Sequence, residues 1–224
     1  FTNADKVDFF IVSTDRQNEV LQEQFAKYTQ HQPKIVTIPV GSIDALTESS
    51  QGRKPFSLIT ASRLAKEKHI DWLVKAVIEA HKEIPELTID IYGSGGEDSL
   101  LREIIATHQA EDYIQLKGHA ELSQIYSQYE VYLTASTSEG FGLTLMEAVG
   151  AGLAIVGFDV RYGNPTFILD GKNGYLVPFE GRSDQELVED MAQILVELSS
   201  KDMEDFHSNS YQLARDYLEE RILE

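Results

Sequence analysis

At 224 residues, 42% hydrophobic and 25% charged, the chain has the composition of an ordinary soluble globular protein, long enough for one large domain or a domain plus part of another. A formal net charge of −18 argues against a nucleic-acid or anionic-membrane surface, because both need basic patches to engage phosphates, although a local basic pocket stays open. The absence of cysteine excludes disulfides and thiolate metal sites and suits a reducing cytoplasm, and neither a signal peptide nor an apolar run of roughly 18 residues is present.

The chain starts at Phe1 without an initiator Met and stops inside a helical pattern, which reads as a piece of a longer protein. Residues 7–12 form an apolar strand, 15–28 a helix capped by Thr14 or Asp15, and 34–39 a second strand. Residues 46–54 are polar and read as a linker. The run 56–61 lacks alternation, as a strand buried on both faces does. It delivers Ser62-Arg63-Leu64-Ala65-Lys66-Glu67-Lys68 to a strand's C-terminal end, where open α/β sheets bind ligands. Arg63 offers a planar fork for phosphate oxygens and Lys68 a compact charge, while Lys66 reads as solvated. In so acidic a chain, the alternative is that these bases simply neutralise a nearby acid. A helix over 69–84 follows, with Ile70, Leu73, Val74 and Val77 as its buried stripe.

Residues 87–92 form the next strand, followed by Gly93-Ser94-Gly95-Gly96-Glu97-Asp98. Asp98 stands where a G-x-G-x-x-G fingerprint needs its third glycine, so this is a tight turn with backbone donors rather than a dinucleotide motif. A helix over 99–109, a strand over 113–119 and a short helix over 121–128 lead to the apolar strand 130–135.

That strand opens into Ser136-Thr137-Ser138-Glu139-Gly140-Phe141-Gly142, then a helix with Leu143, Met146 and Val149 at helical spacing. Gly140 and Gly142 let a ligand approach where the first helical N–H groups have no internal partner. Those donors and the positive end of the helix dipole favour an anion, most often phosphate. Glu139 and Glu147 bracket the turn. Eight helical residues span about 12 Å, beyond the roughly 5 to 9.5 Å of a glycosidase carboxylate pair. One extended ligand with hydroxyls at both ends and phosphate between, such as a sugar nucleotide, fits better. The plain alternative is a solvated loop acid and a surface helix acid.

After Gly152 come a buried strand over 153–158, a polar loop over 159–165 and a short helix over 166–169. A turn over 170–174, a last strand over 175–177 and amphipathic helices over 183–198 and 202–224 complete the chain. Strand and helix alternate about six times after residue 55, so an α/β, Rossmann-like parallel sheet with helices on both faces is expected.

The run Glu139-Gly-Phe-Gly-Leu-Thr-Leu-Met-Glu147-Ala-Val-Gly-Ala-Gly, an E-x7-E pattern, resembles the donor-binding half of retaining GT-B glycosyltransferases of glycosyltransferase family 4. Phe158-Asp-Val-Arg-Tyr-Gly-Asn-Pro-Thr-Phe-Ile168 resembles the bacterial enzymes that put N-acetylglucosamine on serine-rich-repeat adhesins, and related polyglycerol-phosphate glucosyltransferases. The resemblance covers essentially the whole chain. It implies that residues 1–45 are a βαβ remnant of an N-terminal domain plus hinge, whose open edge packs unusually or pairs with another molecule. Residues 46–224 are then the UDP-sugar-binding, GT-B C-terminal domain.

The resemblance assigns catalysis to Glu139, Arg63 and Lys68, with Arg63 and Lys68 as a diphosphate clamp. Glu139 holds the donor sugar and Glu147 the ribose, and Lys117, Gly118 and His119 hold the base. Ser62, Gly93, Ser94, Gly140, Phe141, Gly142, Leu143 and Thr144 complete the donor site. The donor is UDP-GlcNAc or UDP-glucose. No cofactor is implied and, without a D-x-D motif, no metal. The acceptor protein is bound by the missing N-terminal domain, a sister glycosyltransferase-like subunit is implied, and membrane association would run only through absent parts. Rival readings are a non-catalytic sugar or protein recognition module and a GT-B epimerase. A PLP phosphorylase needs a Schiff-base lysine that the sequence does not reveal.

Overall fold

A computed structural model describes residues 3, 6–30, 32–48 and 52–222. Its main body is a six-stranded, all-parallel sheet: β3 (Ser57–Ala61), β4 (Thr88–Tyr92), β5 (Ile114–Gly118), β6 (Val131–Thr134), β7 (Ala154–Phe158) and β8 (Gly174–Val177), in the order β5-β4-β3-β6-β7-β8. Every residue of β3, β6 and β7 is buried, as their unalternating apolar runs require of strands covered on both faces. One core holds α2 (Ile70–His81), α3 (Asp98–Thr107) and α6 (Asp184–Ser199) against the side chains of Leu58, Ile89, Leu133 and Val156. The opposite core holds α4 (Leu143–Gly150) and α5 (Gly163–Phe167) against Ile59, Tyr132 and Ile155. Helix α7 (Met203–Ala214) joins both, with Phe206 in the first and Ala214 in the second.

The N-terminal unit stands apart from this sheet. β1 (Phe9–Val12) and β2 (Lys34–Thr37) pair in parallel as their own two-stranded sheet, crossed by α1 (Asp15–Tyr28). Thr14 caps α1 in a full capping box with Gln17. Phe25 packs on Phe10 under the helix, while Phe9, Ile11, Ile38 and Val40 stay exposed. The unit therefore packs on the rest of the chain through its loops and α1 rather than by extending the large sheet. The expected division after residue 45 cuts close to a contact. Ile43 is buried in the second core, donates its N–H to Tyr217 C=O (2.8 Å) and accepts from Glu219 N–H (3.0 Å).

Three expected elements differ. Residues 121–128 form only a 3-10 turn, Tyr126–Gln128. Helix α5 starts at Gly163 rather than 166, because Pro165 is tolerated in a first turn whose N–H groups have no helical acceptor anyway. The C-terminal helix stops at Ala214 and tightens to 3-10 over Arg215–Tyr217. Leu218 is then extended beside Ile43, before a last turn, α8 (Glu219–Ile222). The end of the expected helix, at 223–224, lies outside the described residues, as does 49–51 of the expected linker.

The linker carries a structural anchor. Arg53 donates to the carbonyls of Tyr129 (2.7 Å), Ser127 (3.3 Å) and Ala151 (2.6 Å), and to the Tyr211 hydroxyl (3.2 Å). It thereby ties the entry of β6, the end of α4 and α7 together. Beside it, burial pushes the His207 imidazole down to about 4, with its Nε2 at 3.1 Å from Glu130 C=O. Arg53→Ala strips a charged donor from these carbonyls and is expected to lower unfolding free energy by about 2–4 kcal/mol. Urea denaturation checks this; a shift under about 0.5 kcal/mol, the level of an ordinary surface substitution, contradicts it.

Candidate functional site

The strand order places the first strand of the large sheet, β3, beside its fourth, β6, and the chain leaves these two strands for helices on opposite faces. The loops after β3 and β6 diverge and leave a crevice at the carboxyl end of the sheet, the place where such folds bind ligands.

The β3 loop is pinned by its neighbours. Ser62 N–H donates to Tyr92 C=O and Leu64 N–H to Ser94 C=O, while Gly93 N–H reaches Gly118 C=O. Gly93, at φ +135°, lies so close to Ser62 that a Cβ would sit 1.8 Å from its carbonyl oxygen. Gly93 therefore serves close packing of the two loops, in addition to any access for a ligand. A 3-10 turn over Lys66–Lys68 then sends Lys68 across the crevice, where its Nζ lies 2.8 Å from Glu139 Oε2. Both side chains are only about a fifth exposed (20% and 22%), so the pair is partly screened from water. Arg63 does not join it. Its side chain is 76% exposed and pairs with Glu67 at 3.1 Å, which the same turn places next to it.

Glu139 is fixed through its backbone. Its N–H donates to Arg161 C=O (3.1 Å), and its own C=O accepts from Tyr162 N–H (2.5 Å) and Gly163 N–H (2.8 Å). Phe141 is buried, edge-on to Phe167 at 5.3 Å and to Tyr217 at 6.2 Å, so it anchors the loop and does not face the crevice. Gly142 enters α4 at φ +93°, a conformation that disfavours any side chain. No side chain caps α4, and its first internal bond runs from Met146 N–H to Gly142 C=O, leaving the earlier amides without helical acceptors. Leu143 is exposed at this end.

Further along α4, Thr144 and Glu147 line a cleft of about 410 Å³ with Ile43, Ala120, Leu122 and Tyr126. Glu147 Oε2 accepts from the Tyr126 hydroxyl at 3.2 Å. Glu147 is exposed as a residue, but desolvation by the groups around its carboxyl holds it above its ordinary range; Tyr126 opposes that rise and Glu121 adds to it. The buried Tyr132 hydroxyl lies 2.9 Å from Ala61 C=O and 3.0 Å from Thr144 Oγ1. Both are within reach of the Tyr132 hydroxyl as acceptors, so the phenol ties α4 to the end of β3. On the far side, Lys117 Nζ lies 3.8 Å from Asp90, Gly118 turns at φ +71° and His119 is exposed.

The structure thus brings Lys68, Glu139 and the head of α4 together, and places Glu147 with Thr144 in an adjoining cleft. Three contributors escape pattern reading: Tyr126, Tyr132 and Gln17. The last donates from Nε2 to Gly140 C=O at 3.3 Å, across from the N-terminal unit. The capping box marks Gln17 as a helix-start residue, and a tyrosine in an apolar strand signals a hydroxyl in need of a partner. No pattern names those partners. Among the described residues, no group of three or more His, Asp or Glu is placed to hold a metal ion. No described helix is long and apolar enough to cross a membrane.

Comparison with known proteins bears on this arrangement. The Glycosyl transferases group 1 family matches residues 44–213. The chain is 77% identical, over 230 residues, to the UDP-N-acetylglucosamine–peptide N-acetylglucosaminyltransferase GtfA subunit of Streptococcus pneumoniae, covering 100% of this chain and 45% of that protein. It is 31% identical, over 173 residues, to the poly(glycerol-phosphate) alpha-glucosyltransferase of Bacillus subtilis, covering 75% of this chain and 25% of that one. The crystal structure of the pneumococcal O-GlcNAc transferase GtfA in complex with UDP and GlcNAc matches at TM-score 0.92 and 77% identity, over 99% of this chain and 44% of that one. A crystal structure of the GtfA/B complex matches at TM-score 0.95 and 58% identity, again over 99% and 44%. The chain spans less than half the length of these GtfA relatives. On its six-stranded sheet, shared with GT-B glycosyltransferases, and on the match over 44–213, the chain belongs to the Glycosyl transferases group 1 family.

Proposed function

We propose that the chain is the donor-binding part of a retaining glycosyltransferase of glycosyltransferase family 4. It moves N-acetylglucosamine from UDP-GlcNAc to serine and threonine hydroxyls of a protein in the cytoplasm. The observation that carries this reading is the Lys68–Glu139 pair at the uncapped head of α4.

Transfer breaks the bond between the sugar's anomeric carbon and the diphosphate oxygen, and forms a bond to the acceptor oxygen, which gives up its proton. The departing nucleoside diphosphate gains negative charge. The Lys68 ammonium and the first-turn amides of α4 are already in place to stabilise it. Arg63 completes the clamp: its exposed pair with Glu67 is worth about 0–1 kcal/mol, so the guanidinium swings to a diphosphate at little cost. Glu139, released from Lys68, accepts sugar hydroxyls, and Glu147 accepts those of the ribose. Ser62, Gly93 and Ser94 border the phosphates, and Lys117, Gly118 and His119 hold the base. Retention rests on the family resemblance alone, since the geometry names no nucleophile.

GlcNAc is favoured as the sugar because the 77% identical relative carries that specificity in its name and its structure holds UDP and GlcNAc. Glucose is the alternative, supported by the Bacillus relative. Residues 1–45 are read as the tail of an acceptor-side domain and hinge, 46–224 as the donor domain. The acceptor protein, a sister subunit of the kind seen in the GtfA/B complex, and any membrane contact would be engaged by parts outside this chain.

Calorimetry on the chain tests the reading. UDP and UDP-GlcNAc should bind with little or no turnover, and no heat at millimolar UDP would contradict it. Lys68→Ala should weaken both ligands by about tenfold, the loss of one charged hydrogen bond. Glu139→Gln should weaken UDP-GlcNAc while leaving UDP unchanged or tighter, because Lys68 is freed; equal effects on the two ligands would contradict the sugar role.

The pH dependence follows from Glu147. Its carboxyl is held above 4.5, and the ionised form is the stronger acceptor for two hydroxyls, so UDP affinity should fall as pH drops, starting above that value. The nucleotide itself titrates at about pH 6, so the comparator is Glu147→Gln, which should keep only the nucleotide's own slope. Superimposable profiles would contradict the assignment.

A further inference from the structure

We propose that Tyr126 is a positioning residue that aims Glu147 at a pair of hydroxyls, making the cleft select a ribonucleoside over a deoxyribonucleoside diphosphate. This rests on the donor-site reading above and adds a determinant to it.

Tyr126 is 1% exposed, seated on the 3-10 turn before β6, with its ring edge-on to Tyr132 at 6.0 Å. Its position is therefore set by packing rather than by any ligand. An ionised carboxylate only accepts, so the 3.2 Å contact to Glu147 Oε2 has the phenol as donor. Among the described residues this is the carboxylate's one hydrogen bond. It restrains an otherwise flexible side chain that lines the cleft and engages only one of its two oxygens. Glu121 lines the same cleft and repels Glu147, so the tyrosine is also what keeps the carboxylate turned to its place.

The cleft's other polar wall has the same sense. Besides Glu147, the cleft's lining carries the carboxyl-bearing residues Asp44 and Glu121. With three carboxylates on its lining, the cleft favours a group that brings donors and no negative charge. A vicinal diol meets both conditions, and a phosphate meets neither. Removing one of the two hydroxyls leaves an acceptor facing the ligand without its donor, which penalises the deoxy ligand.

The test compares UDP with 2′-deoxyuridine diphosphate by calorimetry on the chain. Wild type should prefer UDP by about tenfold or more, the scale of one hydrogen bond to a charged group. Tyr126→Phe keeps the buried ring and removes one oxygen. It should lower UDP affinity by about tenfold while moving the deoxy ligand less than about twofold, which erases the preference. Glu147→Gln should erase it as well, and the double variant should lose nothing further, because the tyrosine acts only through the glutamate. A preference that survives Tyr126→Phe, equal losses for the two ligands, or additive losses in the double variant would each overturn the proposal. Wild-type chain that binds neither ligand overturns the donor-site reading, and this inference with it.

Discussion

The ion pair between Lys68 and Glu139 exists because of where the sheet reverses its order. The two residues are 71 apart in sequence, yet β3 and β6 are hydrogen-bonded neighbours, so the loops that follow them open side by side. The chain leaves one strand for α2 on one face and the other for α4 on the opposite face. The loops diverge, and side chains from both reach across the gap between them. A cation is delivered from one side, an acid from the other, and the uncapped head of α4 closes the third. Each is held by backbone rather than by side-chain preference: Lys68 by its 3-10 turn and Glu139 by three hydrogen bonds to residues 161–163.

This arrangement also bears on how so acidic a chain would hold the proposed anion. A net charge of −18 spread over the surface is screened within about 8–10 Å at ordinary ionic strength. The local field at the crevice is set instead by one half-buried ammonium and a helix N-terminus. Glu139 pairs with that ammonium. A sugar nucleotide would take over both partners, the diphosphate facing Lys68 and the sugar hydroxyls facing Glu139.

Much of the fold is legible in the chain itself. The unalternating runs of β3, β6 and β7 announce strands buried on both faces, and the glycines before Leu143 announce the start of α4. Periodicity reports an element's own faces and not what crosses to it from elsewhere, and the misreadings share that cause. Residues 121–128 carry a helical pattern, but only their last turn closes, where Tyr126 is drawn into the core. The C-terminal helix breaks after Ala214 because Tyr217 packs on Phe167 at 4.8 Å and Leu218 runs beside Ile43. Arg63 and Lys68 look equivalent in sequence; one extra turn of backbone sends Lys68 inward and leaves Arg63 beside Glu67. Phe141 sits in a ligand-facing motif yet serves the core. The hydroxyls of Tyr126 and Tyr132 shape the site from strands and turns that no local pattern connects to it.

The central claim is that the crevice between β3 and β6 grips a diphosphate. A crystal structure of the chain with UDP bound tests it most directly. The account predicts the phosphates against the first-turn amides of α4, with Lys68 Nζ turned from Glu139 onto a phosphate oxygen and the ribose hydroxyls at Glu147. A nucleotide bound elsewhere, or one bound here with Lys68 still closed on Glu139 and no contact to phosphate, would contradict it.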